Sequence, residues 1–204
     1  MGFRVQPLHY QTDLVRVRKL CVGPYENNAY VVSCVRTGAA VLIDAAAEPS
    51  NLMDAVSGTD LIGVLTTHGH SDHVGAAAAF VDVGIPVHIN EADAQVAAIP
   101  GLMTLEPGTR RIGEIELTAV HTPGHTPGSM CFLIPGLAFT GDTLFPGGPG
   151  ATRFPGSSFE QIIASISQTL LSLDDDTLVL PGHGLDTTIG EERPHLSEWI
   201  ARGW

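Results

Sequence analysis

The segment THGHSDHVG, residues 67–75, places three of the nine histidines of the chain and one aspartate within six positions. Imidazole nitrogen and carboxylate oxygen are ligands that zinc accepts in proteins. In an extended loop, residues i and i+2 point to the same side, so His68 and His70 can bind one ion. Asp72 and His73 begin the following helix and can reach a second ion. The spacing HxHxDH therefore predicts a site for two divalent metal ions.

Three further segments place a histidine or an aspartate at the end of a predicted strand. HTPGHTPGS contains His125, FTGDTLF contains Asp142, and LPGHG contains His183. Each residue alone is more typical of a turn or a helix cap than of a metal ligand. Together with the first cluster, however, they make four strand ends with metal-binding side chains. Because α/β folds bind ligands at strand ends, we expect these segments to meet at one site.

The segments that must position these residues alternate between strand-like and helix-like patterns. Short apolar runs bounded by glycine and proline predict strands, and apolar residues at helical spacing predict helices. The predicted strands cover residues 14–20, 28–35, 39–44, 61–68, 85–89, 115–122, 129–135, 137–142 and 177–184. The predicted helices cover residues 48–56 and 73–83 and a segment with Phe159, Ile162, Ile163, Ile166 and Leu170. This order predicts an α/β fold in which residues 1–204 form one domain.

The composition of the chain argues against several classes of partner. Its 204 residues include 22 acidic and 10 basic side chains, which give a formal net charge of −12. Such a surface repels phosphate backbones and anionic lipids, so we expect neither nucleic acid nor a membrane as a partner. Cys21, Cys34 and Cys131 lie among apolar residues, a pattern typical of buried, reduced thiols. No apolar run reaches the roughly 18 residues of a membrane span, and these features predict a cytoplasmic protein.

Taken together, the motifs resemble those of the metallo-β-lactamase superfamily, and within it those of the glyoxalase II-like hydrolases. THGHSDH, TPGHTPGS, GDTLF and PGHG occur in the order and approximate spacing of that family, as do LIDAA, NNAYVV and TTIGEE. The resemblance covers nearly the whole chain and is more specific for fold and metal chemistry than for substrate. It implies an αββα sandwich, with the metal site at one edge between the two sheets.

The resemblance also implies a role for each metal-binding side chain. The first metal would be bound by His68, His70 and His125, the second by Asp72, His73 and His183, and both by a bridging Asp142. The implied cofactors are two divalent ions, zinc in the first place, with iron or manganese as alternatives. Asp72 and Asp142 would also be the catalytic carboxylates. Asp44 would either orient a histidine ligand or be only a turn residue at a strand end, and His121 would lie outside the ligand set.

The chemistry implied by such a site is hydrolysis. Two divalent ions about 3.5–4 Å apart lower the pKa of a bridging water, so that a hydroxide nucleophile is available at neutral pH. A thiolate leaves with little protonation, which favours a thioester, such as a hydroxyacylglutathione, over other small esters. Phe145 and the loop 146–156 are expected to line the substrate cleft. Arg153 is the only cation of that loop, and it either binds a substrate carboxylate or is solvated or salt-bridged.

Several alternatives stay open at this point. The segment after PGHG contains two basic residues, Arg193 and Arg202, so we do not expect the basic region with which glyoxalase II binds glutathione. A persulfide dioxygenase, with one iron bound by His68, His125 and Asp142, would keep the same motifs. A lactonase and a metal-binding scaffold without turnover are further alternatives, whereas the net charge disfavours a nuclease. No pattern indicates an oligomeric state.

Overall fold

The computed structural model describes residues 8–203, and two β-sheets form its centre. The first sheet consists of β1 Tyr10–Gln11, β2 Val15–Val22, β3 Asn27–Cys34, β4 Ala39–Ile43, β5 Asp60–Leu65, β6 Val87–Ile89 and β7 Met103–Thr104. These strands lie side by side in chain order. The pairs from β1 to β4 are antiparallel, and those from β4 to β7 are parallel.

The second sheet is formed by the later part of the chain. Its strands are β8 Gly108–Ile112, β9 Ile115–His121, β10 Met130–Ile134, β11 Leu137–Gly141, β14 Leu178–Pro181 and β15 Thr187–Thr188. Between β11 and β14, β12 Leu144–Phe145 and β13 Gly148–Pro149 pair as a separate ribbon. The order in the sheet is β15-β14-β11-β10-β9-β8, and only β11 and β14 pair in parallel.

The two sheets face each other across one apolar core. The first sheet contributes residues such as Val17, Tyr30 and Ile43, and the second contributes residues such as Phe132 and Phe139. Strand β2 largely alternates buried and exposed residues, as expected for a strand with one covered face. Strands β3, β4 and β11 are buried along their whole length. Their nearly continuous apolar sequences are therefore explained by cover on both faces.

Helices cover the outer face of each sheet. The first sheet is covered by α1 Pro49–Val56, α2 Ser71–Val74, α3 Ala77–Asp82 and α4 Glu91–Ala97, and the second by α5 Phe159–Gln168, α6 Ile189–Glu192 and α7 Leu196–Arg202. Short 3₁₀ helices cover Leu170–Ser172 and Arg193–His195. Leu52 and Phe80 pack on the first sheet, and Ile162 and Trp199 pack on the second. The layers are helix, sheet, sheet and helix, which confirms the predicted αββα sandwich.

Every predicted strand overlaps an observed one, but the prediction of one continuous helix over residues 73–83 is wrong. The chain forms α2 and α3 instead, separated by Gly75 and Ala76. The N–H of Ala76 donates to the carbonyl of Ala45 at 2.8 Å, outside the helix. Gly75 lies so close to Ala46 that a Cβ at position 75 would come within 2.6 Å of the Ala46 carbonyl oxygen. Contact with the loop after β4 therefore interrupts the helix, and an alanine-rich sequence does not reveal such a contact.

The three cysteines differ in their burial. Cys34 and Cys131 are buried, as predicted, whereas Cys21 is exposed, so the prediction of three buried thiols is wrong for this residue. Cys21 lies near the end of β2, where its side chain borders a surface cavity with Lys19, Glu26 and Gly184. Within residues 8–203, no helix is both long and apolar enough to cross a membrane. The predicted domain boundaries, 1 and 204, lie outside the described residues.

Candidate metal centre

The four predicted segments meet at a cavity beside the ends of strands from both sheets. His68 lies three residues beyond the end of β5, and Asp142 directly follows β11. His125 lies in the loop after β9, and His183 lies in the loop after β14. The cavity has a volume of about 590 Å³ and is lined by Tyr25, His70, Ser71, Asp72, His125, Asp142, Phe145, Ala151, Arg153, Phe154 and His183.

Three groups of side chains in this region bring candidate ligand atoms together. Within each group these atoms lie within 4.8 Å of one another. The groups are His68, His70 and His125; His68, His73 and Asp142; and Asp72, His73 and His183. All the side chains that the sequence predicts as ligands belong to at least one group. The first and third groups are the two predicted ligand sets, here called the first set and the second set, and Asp142 lies in the group that connects them.

The first set presents three ring nitrogens to one point. Nε2 of His68 lies 3.1 Å from Nδ1 of His70, and Nε2 of His125 lies 3.0 Å from the same atom. The outer nitrogen of His125 donates to the carbonyl of Ala151 at 2.8 Å, and that of His68 lies 3.1 Å from the hydroxyl of Thr67. A carbonyl only accepts, so the proton of His125 is on Nδ1, and Nε2 presents a lone pair to the set. Converging ring nitrogens at these distances fit a cation between them.

The second set combines two imidazoles and a carboxylate. Nε2 of His183 lies 3.2 Å from Nε2 of His73 and 3.3 Å from Oδ2 of Asp72. The outer nitrogens donate: Nδ1 of His73 to Oδ2 of Asp44 at 2.8 Å, and Nδ1 of His183 to the carbonyl of Tyr25 at 2.9 Å. These acceptors fix the ring orientations, so the Nε2 atoms are the positions that a metal can take. Such a donor set suits a divalent ion.

Asp142 lies between the two sets. Its Oδ1 is buried and has no hydrogen-bond donor among residues 8–203. Nε2 of His73 lies 3.3 Å from Oδ1, while Nε2 of His125 and of His183 lie 3.6 and 3.8 Å from Oδ2. A buried carboxylate oxygen without a donor is costly unless a cation is near. The orphaned oxygen therefore fits a metal ligand. Gly182 leaves the space for it, because a Cβ at position 182 would collide with Oδ1.

The charges of the cluster shift the pKa values of its members in opposite directions. Burial lowers the pKa of His68 well below its ordinary value, and the neighbouring histidines add to this effect. Burial alone would lower the pKa of His73, but the carboxylates of Asp142 and Asp44 raise it well above its ordinary value. Burial would raise the pKa of Asp142, but the adjacent histidines lower it and keep the carboxylate ionised. The pKa values of His73 and Asp142 thus shift as expected for a buried imidazole beside a buried carboxylate.

Two buried residues outside the predicted ligand sets contact members of the second set. Asp44 accepts bonds from Nδ1 of His73 at 2.8 Å, and from the N–H and the hydroxyl of Thr67, both at 2.7 Å. Of its two predicted roles, the structure therefore shows the contact that orients a histidine. Asn27 was not predicted as a site residue. Its Nδ2 lies 3.0 Å from Oδ2 of Asp72 and 3.3 Å from Nε2 of His183, and its motif NNAYVV was the available signal.

Aromatic side chains and one arginine surround the opening of the cavity. Phe145 is half-buried, and its ring centroid lies 6.4 Å from that of His183. Arg153 is exposed, and its Cζ lies 5.2 Å from the ring centroid of Phe154. Phe154 in turn lies 4.9 Å from the ring of His70. The structure thus places both residues that were predicted to bind substrate, Phe145 and Arg153, at the cavity.

The sequence did not identify every residue at or near the site. Tyr25 and Phe154 line the cavity, although no spacing singled them out, because the direction of a loop side chain depends on the tertiary fold. His121 lies outside the cluster, as expected, with Nε2 2.8 Å from the carbonyl of Pro127. Asp93 was missed. It is fully buried in the first turn of α4 and bonds to two of the ligand loops, whereas first-turn aspartates are ordinarily surface residues that favour the helix dipole.

Comparisons with known proteins point to one family. The sequence profile described as the metallo-beta-lactamase superfamily matches residues 22–183, a range that contains every predicted ligand. The hydroxyacylglutathione hydrolase GloC of Haemophilus influenzae is 38% identical over 178 residues, which cover 76% of this chain and 84% of that protein.

Two solved structures share this fold and are at least 30% identical in sequence to the chain. The crystal structure of TTHA1623 in a di-iron-bound form has a TM-score of 0.77 and 35% identity, and the match covers 86% of this chain and 96% of that one. The crystal structure of ETHE1 from Myxococcus xanthus has a TM-score of 0.77 and 30% identity, and the match covers 88% of this chain and 82% of that one.

Proposed function

The chain belongs to the metallo-β-lactamase superfamily, and from that premise we propose that it is a dinuclear metal-dependent hydrolase of a thioester or a related small ester. The observation that carries the proposal is the convergence of two ligand sets on Asp142, whose buried Oδ1 has no donor among the described residues. One buried carboxylate beside two ligand sets is the arrangement that a two-metal hydrolytic site requires. The cavity beside the sets leaves room for a small substrate.

The donors define which metals fit. His68, His70 and His125 would bind one ion, and Asp72, His73 and His183 would bind the other, with Asp142 between them. Imidazole and carboxylate donors without a thiolate suit zinc, and they also suit iron or manganese. When bound, a pair of such ions supplies an activated water at neutral pH and polarises the carbonyl of the substrate.

The side chains of this protein prepare that chemistry through charge and orientation. Asp142 and Asp72 are ionised, because neighbouring histidines lower the pKa of both carboxyl groups against the opposing effect of burial. Both line the cavity, so their oxygens can accept a hydrogen bond from an attacking water and orient it. Asp44 and the carbonyl of Tyr25 keep the rings of the second set in place. Phe145 and Arg153, at the opening, would bind the part of the substrate that does not react.

A thioester is the preferred substrate class. A thiolate leaves without prior protonation, since its conjugate acid is far more acidic than an alcohol, and the site then needs no strong general acid. GloC, the 38% identical relative, is named a hydroxyacylglutathione hydrolase, which supports a thioester of glutathione or of a similar thiol. Oxygen esters and lactones would react at the same centre with poorer leaving groups.

A persulfide dioxygenase is the second candidate. Iron is a reasonable metal for this fold, because TTHA1623 was crystallised in a di-iron-bound form at 35% identity to this chain. ETHE1 from Myxococcus xanthus is 30% identical and has the same fold. Within the cavity, His125 and Asp142 approach each other at 3.6 Å, so a site with one iron bound by His68 and these two residues is a geometric alternative.

Metal analysis combined with assays on three substrates separates these functions. Protein purified without added metal is analysed for zinc, iron and manganese, and then tested with a hydroxyacylglutathione, a lactone and a glutathione persulfide. We expect two divalent ions per chain and release of free thiol from the thioester without oxygen uptake. A single iron with oxygen uptake on the persulfide would contradict the hydrolase and support the dioxygenase. The His70→Ala variant, which lacks a predicted ligand, is the control for trace contaminating activity.

A further inference from the structure

The carboxylate of Asp93 connects two loops that supply predicted ligands. Asp93 is fully buried in the first turn of α4 and belongs to none of the metal-binding motifs. Its Oδ2 accepts the N–H of Gly69 at 2.8 Å and the hydroxyl of Thr126 at 2.6 Å. Its Oδ1 accepts the N–H of Gly128 at 2.7 Å. One side chain therefore fixes the backbone of both loops.

These two loops carry the whole first set. Gly69 lies between His68 and His70 in the sequence, and Thr126 directly follows His125. Within the described part of the chain, the hydrogen bonds of the Asp93 carboxylate go to these two loops alone. The second set depends on other contacts, since His73 donates to Asp44. The hydrogen bonds of the Asp93 carboxylate therefore hold the loops that carry the first set.

The hydrogens of this network can be assigned without conflict. The N–H of Thr126 donates to Oγ of Ser129 at 3.0 Å, and the two hydroxyl oxygens of these residues lie 2.7 Å apart. Because the hydroxyl of Thr126 donates to Asp93, the hydroxyl of Ser129 donates to Thr126. Asp93 then receives three donors on two oxygens, which an ionised carboxylate accepts and a protonated one does not match. Hydrogen bonds to an ionised acceptor are stronger than those between neutral groups.

Close backbone approach explains the glycines that face Asp93. A Cβ at Gly69 would come 2.6 Å from the backbone oxygen of Asp93, and a Cβ at Gly128 would come 2.7 Å from its carboxyl carbon. Both distances are shorter than a Cβ can tolerate, so a larger residue at either position would push a ligand loop away from α4. The glycines of THGHSDH and TPGHTPGS therefore permit the same contact from opposite sides.

We propose that Asp93 is a positioning residue for the first metal. It sets the distance between the loop of His68 and His70 and the loop of His125, without touching the metal itself. The inference rests on the proposed function in that it assumes a metal at the first set. It goes beyond that function because it assigns control of one metal site to a buried carboxylate in a helix outside the motifs. Loss of this carboxylate should weaken the first set and leave the second set unchanged.

Zinc affinity, measured separately for the two sets, tests the proposal. The His183→Ala variant disables the second set and leaves the first, and the His70→Ala variant does the reverse. Asp93→Asn is then added to each, because asparagine keeps the volume but has one acceptor oxygen in place of two. Calorimetric titration with zinc should show about a 10- to 100-fold loss of affinity in the His183→Ala protein, and about a twofold change or less in the His70→Ala protein.

Two further variants separate positioning from general stability. Thr126→Val removes only one of the three donors to Asp93 at constant volume, so it should cause a smaller loss, again confined to the first set. Glu192→Gln is the matched control. This buried carboxylate accepts the backbone N–H of Gly147 and the hydroxyl of Thr187, so it resembles Asp93 in its partners. Unlike Asp93, it forms neither of these bonds with the loop of His68 and His70 or the loop of His125. It should leave zinc affinity unchanged in both backgrounds.

The outcomes distinguish this proposal from the proposed function. Equal losses at both sets after Asp93→Asn, or no loss at either set, would overturn the positioning role while leaving the hydrolase intact. Absence of zinc binding by the unsubstituted protein would overturn the proposed metal site, and this inference with it. A loss confined to the first set, in protein whose circular dichroism matches that of the parent variant, would support the role.

Discussion

Oδ2 of Asp44 lies 2.8 Å from Nδ1 of His73, and both side chains are almost fully buried. Asp44 directly follows β4 and has a left-handed backbone conformation, with φ at 58°. Aspartate tolerates this conformation better than most residues do. The contact therefore links the end of a central strand to the first turn of the helix that carries two predicted ligands.

We expect Asp44→Asn to weaken the second set selectively. Asparagine has one acceptor oxygen, so its amide nitrogen must face either Thr67 or His73, and in either case a donor loses its acceptor. The zinc affinity of the His70→Ala protein should fall about 10- to 100-fold, because loss of the partner of a ligating histidine has effects of this size.

The reciprocal measurement is the control for Asp44. In the His183→Ala protein, where only the first set remains, Asp44→Asn should leave the first set with nearly its original affinity. Asp93→Asn should show the opposite pattern. If both substitutions weakened the same set, the assignment of one carboxylate to each metal would be wrong.

Asp142→Asn should abolish turnover and remove metal from both sets. The reason is that Asp142 lies between the sets, with one oxygen near His73 and the other near His125 and His183. A neutral amide does not balance the charge of two cations. Elemental analysis after dialysis measures the effect, with Glu114→Gln as a control, since Glu114 forms an exposed pair with Arg36 at the turn between β8 and β9. Two metals per chain in the Asp142 variant would contradict the bridging position.

The sequence singles out the candidate ligands because metal chemistry restricts residue types and spacing at once, and the family resemblance divides these candidates into two sets. Imidazoles at HxH spacing and a following DH have few other uses, and each of the remaining ligands follows a recognisable apolar strand. The structure brings all of these side chains into groups with converging ligand atoms. The apolar strands predict only an α/β fold, and the αββα layers were implied by the family resemblance; burial of β4 and β11 on both faces fits these layers.

What the sequence does not reveal depends on contacts between distant segments. Asp93 contacts loops 24 and 35 residues away in the chain, and nothing in its own neighbourhood distinguishes it from a surface aspartate in a first turn. The break between α2 and α3 has the same origin, because Ala76 bonds to Ala45 instead of to its own helix. The ring of Phe154 lies beside His70 only because the loop before α5 folds back over the cavity.

Cys21 should be the thiol that reacts in the native protein. It is exposed, and partial burial together with Glu26 raises its pKa, so the reactive thiolate increases as the pH rises above neutrality. Burial raises the pKa of Cys131 to about 11 and also blocks access to it. Alkylation with iodoacetamide, mapped by mass spectrometry, should label Cys21 faster with increasing pH and Cys131 only after denaturation. Burial opposes the change, but hydrogen bonds with Thr37 lower the pKa of Cys34 to about 7, and this thiol stays out of reach of the reagent because it is buried. Cys21→Ser should therefore abolish the native label, whereas native labelling of Cys131 would contradict its burial.

Arg153→Ala should weaken binding of substrates that carry a carboxylate. Arg153 lines the cavity and is stacked on Phe154, but it is exposed, so solvent screens any ion pair that it forms. An exposed pair contributes roughly 0.2–1 kcal/mol, which corresponds to an increase in KM of up to about fivefold with nearly unchanged kcat. A neutral thioester should show no change, and Arg111→Ala, which removes an exposed arginine paired with Glu116, should affect neither substrate. Equal increases in KM for charged and neutral thioesters would show that Arg153 supports the shape of the loop through Phe154 and does not bind the carboxylate.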